Sequence, residues 1–363
     1  MLSHHMTSIS VLLCAAAVTG SPQNESNVPS HRRPKIGLFN WVRFQNEPCM
    51  SENGFSGVCF TSAECSLLGG KSSGTCAQGF GVCCQVTKTC GETIRSNNTY
   101  FVDPSYTGGG LGMKAGSYCS VTVEKVNPNV CQLRLDMERF DIVGPNTFPI
   151  SGECTYDTFS VTGQDASSPV PVICGINHGQ HMYVNVGQPG ASVQLRMSLA
   201  PKSTQRAWKI RVTQIPCNSP RQAPSGCLQY HEEPTGIISS FNYDIGTFEE
   251  RGYPNNLHYS ICFRRATGTC RVRFSNEGPF GVGAEPVVAG RGVAVNQCQA
   301  FQLGSQMQSD FLRLGLLAYC GNRFPPAYET DDTGVMLAVF VSAGTHSPLH
   351  RGFRLRYTLV ACS

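Results

Sequence analysis

The sequence predicts an all-β chain in which two consecutive β-sandwiches follow a small disulfide-rich knot. Three observations predict it. Eighteen of the nineteen cysteines fall into three consecutive sets of six. The second set is Cys90, Cys119, Cys131, Cys154, Cys174 and Cys217; the third is Cys227, Cys262, Cys270, Cys298, Cys320 and Cys362. Measured from each first cysteine, the offsets are 29, 41, 64, 84 and 127, then 35, 43, 71, 93 and 135, so one domain type occurs twice. Between the cysteines, apolar and polar residues alternate with a period of two, turn residues are dense, and long helical periodicities are missing. An intracellular enzyme of this length rarely needs so much covalent stapling. The reading is an extracellular modular protein whose activity lies on exposed surfaces.

The nineteenth cysteine, Cys14, sits in the apolar run Ile9–Val18, which is followed by Thr19, Gly20 and Ser21. That run is too short to span a bilayer, and its small-residue exit reads as a secretory signal peptide over residues 1–20. Its removal leaves an even number of cysteines, as an oxidising compartment favours. No second apolar stretch reaches bilayer length and the C-terminus carries no hydrophobic tail, so the expectation is a secreted chain without a membrane anchor. The net charge of +4 is too weak a bias to argue for nucleic acid. Much of the excess lies in residues 21–47, where Arg32, Arg33, Lys35 and Arg43 face only Glu25 and Glu47; this segment reads as a disordered basic tail.

Residues 48–86 hold the first six cysteines in the spacing C-x9-C-x5-C-x10-C-x6-C-C. So short a segment cannot bury an adequate core, and three disulfides would have to carry its fold. Zinc is the competing use of clustered cysteines, but there is no CxxC pair and no nearby histidine. With its adjacent pair Cys83-Cys84, the module resembles the clip domain of arthropod secreted proteases and their non-catalytic relatives. The resemblance implies the pairings Cys49–Cys83, Cys59–Cys76 and Cys65–Cys84; the sequence alone allows fifteen connectivities. Clip domains regulate or dock a protease domain, and none follows here.

In the first repeat, residues 90–217, the run from Cys131 to Phe140 places Leu133, Leu135 and Met137 on one face and Arg134, Asp136 and Glu138 on the other, the signature of a half-buried strand. Trp208, Ile210 and Val212 alternate in the same way near its end. The second repeat, residues 227–363, answers with Phe353, Leu355 and Tyr357 between Arg354 and Arg356. Short strands with dense turns argue for a β-sandwich.

Particular motifs resemble the CUB domain, a jelly-roll β-sandwich. The first repeat has Phe140-Asp141-Ile142, then Cys154-Thr-Tyr-Asp157, then Ile173-Cys-Gly175. The second has Gly236-Ile-Ile-Ser239 and Tyr253-Pro-Asn-Asn256 ahead of Cys262, then Cys320-Gly321, then the closing Gly352-Phe-x-x-x-Tyr357. The complete arrangement resembles secreted arthropod CUB-domain proteins. The resemblance implies Cys90–Cys119 with Cys154–Cys174, and Cys227–Cys262 with Cys298–Cys320. Cys131 and Cys217, and Cys270 and Cys362, are then left over; an extra intradomain bridge, Cys131–Cys217 and Cys270–Cys362, is the economical inference, with an intermolecular bridge as the alternative.

Many CUB domains bind calcium. The family site implies a Glu two residues after the FD-type Asp, the Asp of C-x-Y-D, and an Asp before the last strand. Only Asp157 fits: Val143 replaces the Glu, the final loop from Ala200 to Arg206 lacks an acid, and the second repeat has Cys298-Gln-Ala-Phe301 and an acid-free loop from Ser342 to Arg351. One carboxylate is too few for calcium, so both sites read as lost, no metal or cofactor is expected, and Asp157 reads as a surface or turn-bonding residue. His178-Gly-Gln-His181 has no identifiable third zinc ligand and reads as a loop entering a strand; Asp331-Asp332 fits a polar turn. No nucleophile motif, metalloprotease motif or phosphate loop is present, and no catalytic residue is assigned.

Asn97-Asn98-Thr99 and Asn24-Glu25-Ser26 are glycosylation sequons, with Asn97 the better placed. Arg271, Arg273, Arg354 and Arg356 could form an anion-binding edge, although this repeat holds eleven basic and eleven acidic residues, and ordinary solvated strand faces account for them as well. The function expected is non-enzymatic binding of an extracellular protein or glycan through the repeated domains. The alternative is a clip-bearing regulator or docking factor of an extracellular serine-protease cascade, in immunity or matrix.

Overall fold

The structure is a computed structural model and describes residues 46–50, 54, 56–106, 116–145, 152–188, 190–201, 206–243, 252–283, 310–330, 336–342 and 351–362. Among them nearly all regular structure is strand, and no helix is long and apolar enough to cross a membrane.

The N-terminal module contains β1 (Pro48–Met50), β2 (Ser56–Phe60), β3 (Lys71–Cys76) and β4 (Gly81–Gln85), hydrogen-bonded in the order β1-β2-β4-β3. Its helix α1 (Ser62–Leu67) starts where it does because Thr61 and Glu64 form a capping box: the Thr61 hydroxyl accepts the Glu64 N–H, and the Glu64 carboxylate accepts the Thr61 N–H. Disulfides join Cys49 to Cys83, Cys59 to Cys76 and Cys65 to Cys84. The buried apolar side chains beside them are few, chiefly Val58, Phe60 and Val86, so cross-links rather than burial hold this module.

The first sandwich comprises β5 (Thr87–Lys88), β6 (Thr93–Ile94), β7 (Thr99–Val102), β8 (Tyr118–Glu124), β9 (Val130–Asp141), β10 (Thr158–Thr162), β11 (His181–Asn185), β12 (Ser192–Ser198) and β13 (Ala207–Pro216). Its sheets run β10-β12-β8-β6 and β11-β9-β13-β7-β5. The second sandwich comprises β14 (Cys227–His231), β15 (Thr235–Ser239), β16 (His258–Phe263), β17 (Thr269–Asn276), β18 (Phe311–Leu314), β19 (Leu317–Tyr319), β20 (Ala327–Glu329), β21 (Leu337–Val341) and β22 (Arg354–Ala361). Its sheets run β14-β16-β21-β18-β19 and β15-β22-β17-β20. Set aside β5 and β19, and the two orders are the same order: 10-12-8-6 corresponds to 18-21-16-14, and 11-9-13-7 to 20-17-22-15. Each repeat opens with the same parallel pair, β6 with β8 and β14 with β16, and β5 with β7 is the one further parallel pair among the described strands of the two sandwiches.

The alternation read from the sequence points inward as expected. Leu133, Leu135 and Met137 of β9, Trp208, Ile210 and Val212 of β13, and Phe353, Leu355 and Tyr357 at β22 are all at most 1% exposed. Bridges join Cys90–Cys119, Cys154–Cys174 and Cys131–Cys217 in the first sandwich, and Cys227–Cys262 and Cys270–Cys362 in the second. Cys131–Cys217 and Cys270–Cys362 close loops of 86 and 92 residues, worth about 4–5 kcal/mol each in the chain-entropy account. Cys298, and with it the Cys298–Cys320 pairing, lies outside the described residues.

The sandwich boundary differs from the one expected at Cys90. β5, formed by Thr87 and Lys88, adds in parallel to β7, because β7 would otherwise end the sheet with an unpaired edge. The N-terminal module thus runs without a linker into the first sandwich. Ser56 fixes the contact: its hydroxyl donates to Glu138 on β9 and accepts from Lys209 on β13, and Lys209 also pairs with Glu138 at 2.8 Å.

Candidate functional site

Asp157 corrects the expectation of a surface or turn-bonding residue. Its side chain is fully buried, and its carboxylate is saturated by protein. Oδ2 accepts the Val143 N–H at 2.9 Å and Oδ1 the Ala200 N–H at 2.9 Å. The Arg206 guanidinium completes the set, with Nε donating to Oδ2 at 2.5 Å and Nη2 to Oδ1 at 2.9 Å. A fork-to-fork pair of this kind is the geometry arginine makes best with a carboxylate. Arg206 Nη2 also donates to the Ala200 carbonyl at 3.0 Å, which tethers the loop before β13 to its own carboxylate partner. These groups do not fit a calcium ion, since the carboxylate has no oxygen to spare and a cationic guanidinium already neutralises it. The sequence showed only that the loop lacking an acid ends in a base, which does not name the partner of that base. In the second sandwich, Cys298 to Phe301 and residues 343–350 lie outside the described residues.

The two sandwiches meet through buried polar groups on both sides of the residues 217–226. In that segment Gln132 of β9 clasps Ala223, accepting its N–H at 2.9 Å and donating to its carbonyl at 3.2 Å. At the turn after Ile173-Cys-Gly175, the Ile176 N–H donates to Asn242 Oδ1 and the Asn242 N–H donates to Asn177 Oδ1, both at 2.8 Å. Asn242 itself has φ +56°, a left-handed conformation that Asn tolerates better than most residues. Gln180 donates to the Ser240 carbonyl, and Gln229 to Gln180. The glycine of the Cys-Gly motif explains itself here. Gly175 has φ +80°, and a Cβ placed on it would lie 1.9 Å from Asn242 Oδ1. Gly175→Ala is therefore expected to cost about 3 kcal/mol, from left-handed strain and lost joint hydrogen bonds. Faster limited proteolysis within residues 217–226 is the readout, and Asn242→Gly on the same background should restore part of the resistance.

β11 and β14, the edge strands of their sheets, lie beside one another at this joint. His181 on β11 is buried, with Nε2 at 3.0 Å from the Tyr230 carbonyl and 3.1 Å from the Tyr230 N–H, so the imidazole engages one or the other by choice of tautomer. His231 packs against it, ring centroids 4.9 Å apart, and stacks on Phe263 at 5.8 Å. Burial, with Arg134 nearby, drives His231 down from 6.5 to about 4; burial first, then Arg134 and His231, drives His181 well below the ordinary value. The sequence offered His181 only as half of an HxxH; the structure separates it from His178, whose Nδ1 accepts the Phe140 N–H at 2.9 Å.

The four arginines of the expected anion edge do lie on β17 and β22 of one sheet. Arg271 and Arg273 both pair with Glu329 on β20, at 2.6 and 2.8 Å, and Arg356 pairs with Glu277. Three of the four charges are thus answered in place. Asn97 is exposed at the turn before β7, while Asn24 and Asp331-Asp332 lie outside the described residues. Among the described residues no group of three or more His, Cys, Asp or Glu could hold a metal ion.

Residues 224–360 match the family model of the animal CUB domain, a span from just before β14 to the penultimate residue of β22. The chain therefore carries a CUB domain in its C-terminal part. No curated protein matches the sequence. Solved structures similar to the chain include the CUB1-EGF-CUB2 domains of rat MASP-1, at 14% identity over 75% of this chain and 99% of that one, TM-score 0.26. The CUB1-EGF-CUB2 domain of human MASP-1/3 is similar at 16% identity over 73% of this chain and 100% of that one, TM-score 0.25. The full extracellular region of zebrafish Gpr126/Adgrg6 is similar at 12% identity, covering 76% of this chain and 37% of that one, TM-score 0.28.

Proposed function

We propose that this is a secreted, non-enzymatic binding protein that recognises an extracellular protein or glycan through its two sandwiches, both acting as CUB domains. The match of residues 224–360 to the animal CUB domain carries the reading. The first sandwich supports it by repeating the strand order of the second. Binding is independent of calcium, because Arg206 takes the role of the cation beside Asp157. The test is capture on the immobilised full chain, from extracellular fluid and on a glycan array, with and without a chelator. Retention of one partner class unchanged by the chelator is expected. Chelator-sensitive retention would remove the calcium-independent part, and hydrolysis by the pure protein, abolished by a point substitution, would remove the non-enzymatic part.

A second reading, a docking factor for an extracellular serine-protease cascade, is favoured by the apolar residues that the N-terminal module exposes. Met50, Leu67 and Phe80 are 74%, 87% and 60% exposed on a module of under forty residues. Replacing Leu67 and Phe80 with Asp is expected to abolish an effect on cascade activation while leaving capture by the sandwiches intact.

A further inference from the structure

A cavity of 770 Å³ lies where the N-terminal module, the outer face of the first sandwich, the segment 217–226 and the second sandwich converge. Glu47, Arg134, Arg211, Arg221 and Glu232 contribute to its wall from those four directions, and Asn97 stands in it as well. We propose that Asn97 carries an N-linked glycan whose first sugars occupy this cavity and tie the modules together.

The first argument is the geometry of the acceptor residue. Asn97 Oδ1 accepts the Gln214 N–H at 2.7 Å and the Asn98 N–H at 2.9 Å. Both bonds use the oxygen. Attachment forms a bond from Nδ2 to the anomeric carbon of a pyrophosphate-activated oligosaccharide, expelling the pyrophosphate and one Nδ2 proton, so both fold bonds survive it. The second argument is the chemistry of the wall. Arg211 Nε is a buried donor and Glu232 Oε1 a buried acceptor, each without a protein hydrogen-bond partner, and both residues line the cavity beside Arg134, Arg221 and Glu47. An anion would satisfy only the donor and a cation only the acceptor. A sugar hydroxyl donates and accepts, and so suits a wall in which arginines alternate with carboxylates. Asn97 also borders an apolar groove at Val58, Phe60 and Leu67, but sugar hydroxyls buried there would lose their hydrogen bonds to water without replacement.

The full chain secreted from a eukaryotic host tests the proposal in two stages. Glycopeptide mass spectrometry should find Asn97 occupied; an unmodified Asn97 overturns the proposal. Peptide:N-glycosidase is then applied to native wild type and to native Arg211→Met/Glu232→Leu protein whose circular dichroism matches wild type. Release from the wall variant is expected on the order of tenfold faster, the factor that about 1.4 kcal/mol of binding in the cavity corresponds to. Equal release rates overturn the placement even where Asn97 is modified. As a separate readout, enzymatic deglycosylation, which leaves Asp at position 97 and keeps an acceptor there, should lower the melting temperature of wild type and leave that of the wall variant unchanged. Neither stage depends on the partner proposed above.

Discussion

Asp157→Asn is expected to destabilise the first sandwich by about 3–5 kcal/mol, the range found when one member of a buried ion pair is removed and the other keeps its charge. Arg206 is left with a side chain only 7% exposed and without the Asp157 carboxylate. The change should register in the fluorescence of Trp208, which is fully buried in β13 against Phe101. Arg206→Met should cost less, because Asp157 retains the Val143 and Ala200 N–H donors. The double variant Asp157→Leu/Arg206→Met should fall well short of the sum, since replacing a buried pair by apolar groups of similar volume is often close to neutral. Millimolar calcium should rescue none of the three. A calcium-dependent recovery in Arg206→Met would show that the carboxylate still belongs to a metal site.

How much of this was legible beforehand depends on the range of the interactions. The sandwich cores were open to reading because alternation is local: Leu133, Leu135 and Met137 declare one face of β9 wherever that strand sits. The repetition was legible because cysteine spacing survives when little else does. Arg206 was not, because its partner is 49 residues away and a lone base in a polar loop has many uses. The joint was harder still. Asn242, Gln180 and His231 are ordinary polar residues in sequence, and they become partners only when the two sandwiches come together. Gly175 is the instructive case, legible as a motif residue but not in what it packs against. Its neighbour is not in its own domain but is the Asn242 side chain across the joint. The ion pairs of the arginine edge were not legible either, because Glu329 answers Arg271 and Arg273 across strands that the sequence does not visibly pair.

The joint should also weaken in acid, and His231 sets the range. An imidazole whose folded pKa lies below its unfolded value binds more protons when the chain unfolds, so its contribution is complete above about pH 6.5 and declines as pH falls toward the folded value. For His231 that interval runs from 6.5 down to about 4, and at about 1.4 kcal/mol per unit the decline is on the order of 3 kcal/mol. His181 adds a decline of the same sign, its folded value being held down first by burial and then by Arg134 and His231. His231→Phe separates this from general acid denaturation. The ring of His231 already packs among Phe263, Tyr357 and His181, and its Nε2 is buried without a protein hydrogen-bond partner, so Phe loses little at pH 7. The variant is expected to match wild type near neutrality and to exceed it in stability near pH 4.5, with slower proteolysis within residues 217–226. Parallel pH profiles for the two proteins would show that His231 is not what makes the joint acid-labile. His181→Phe is the complementary case: it should fail at every pH, because Tyr230 then loses the hydrogen bond that Nε2 supplies across the two edge strands.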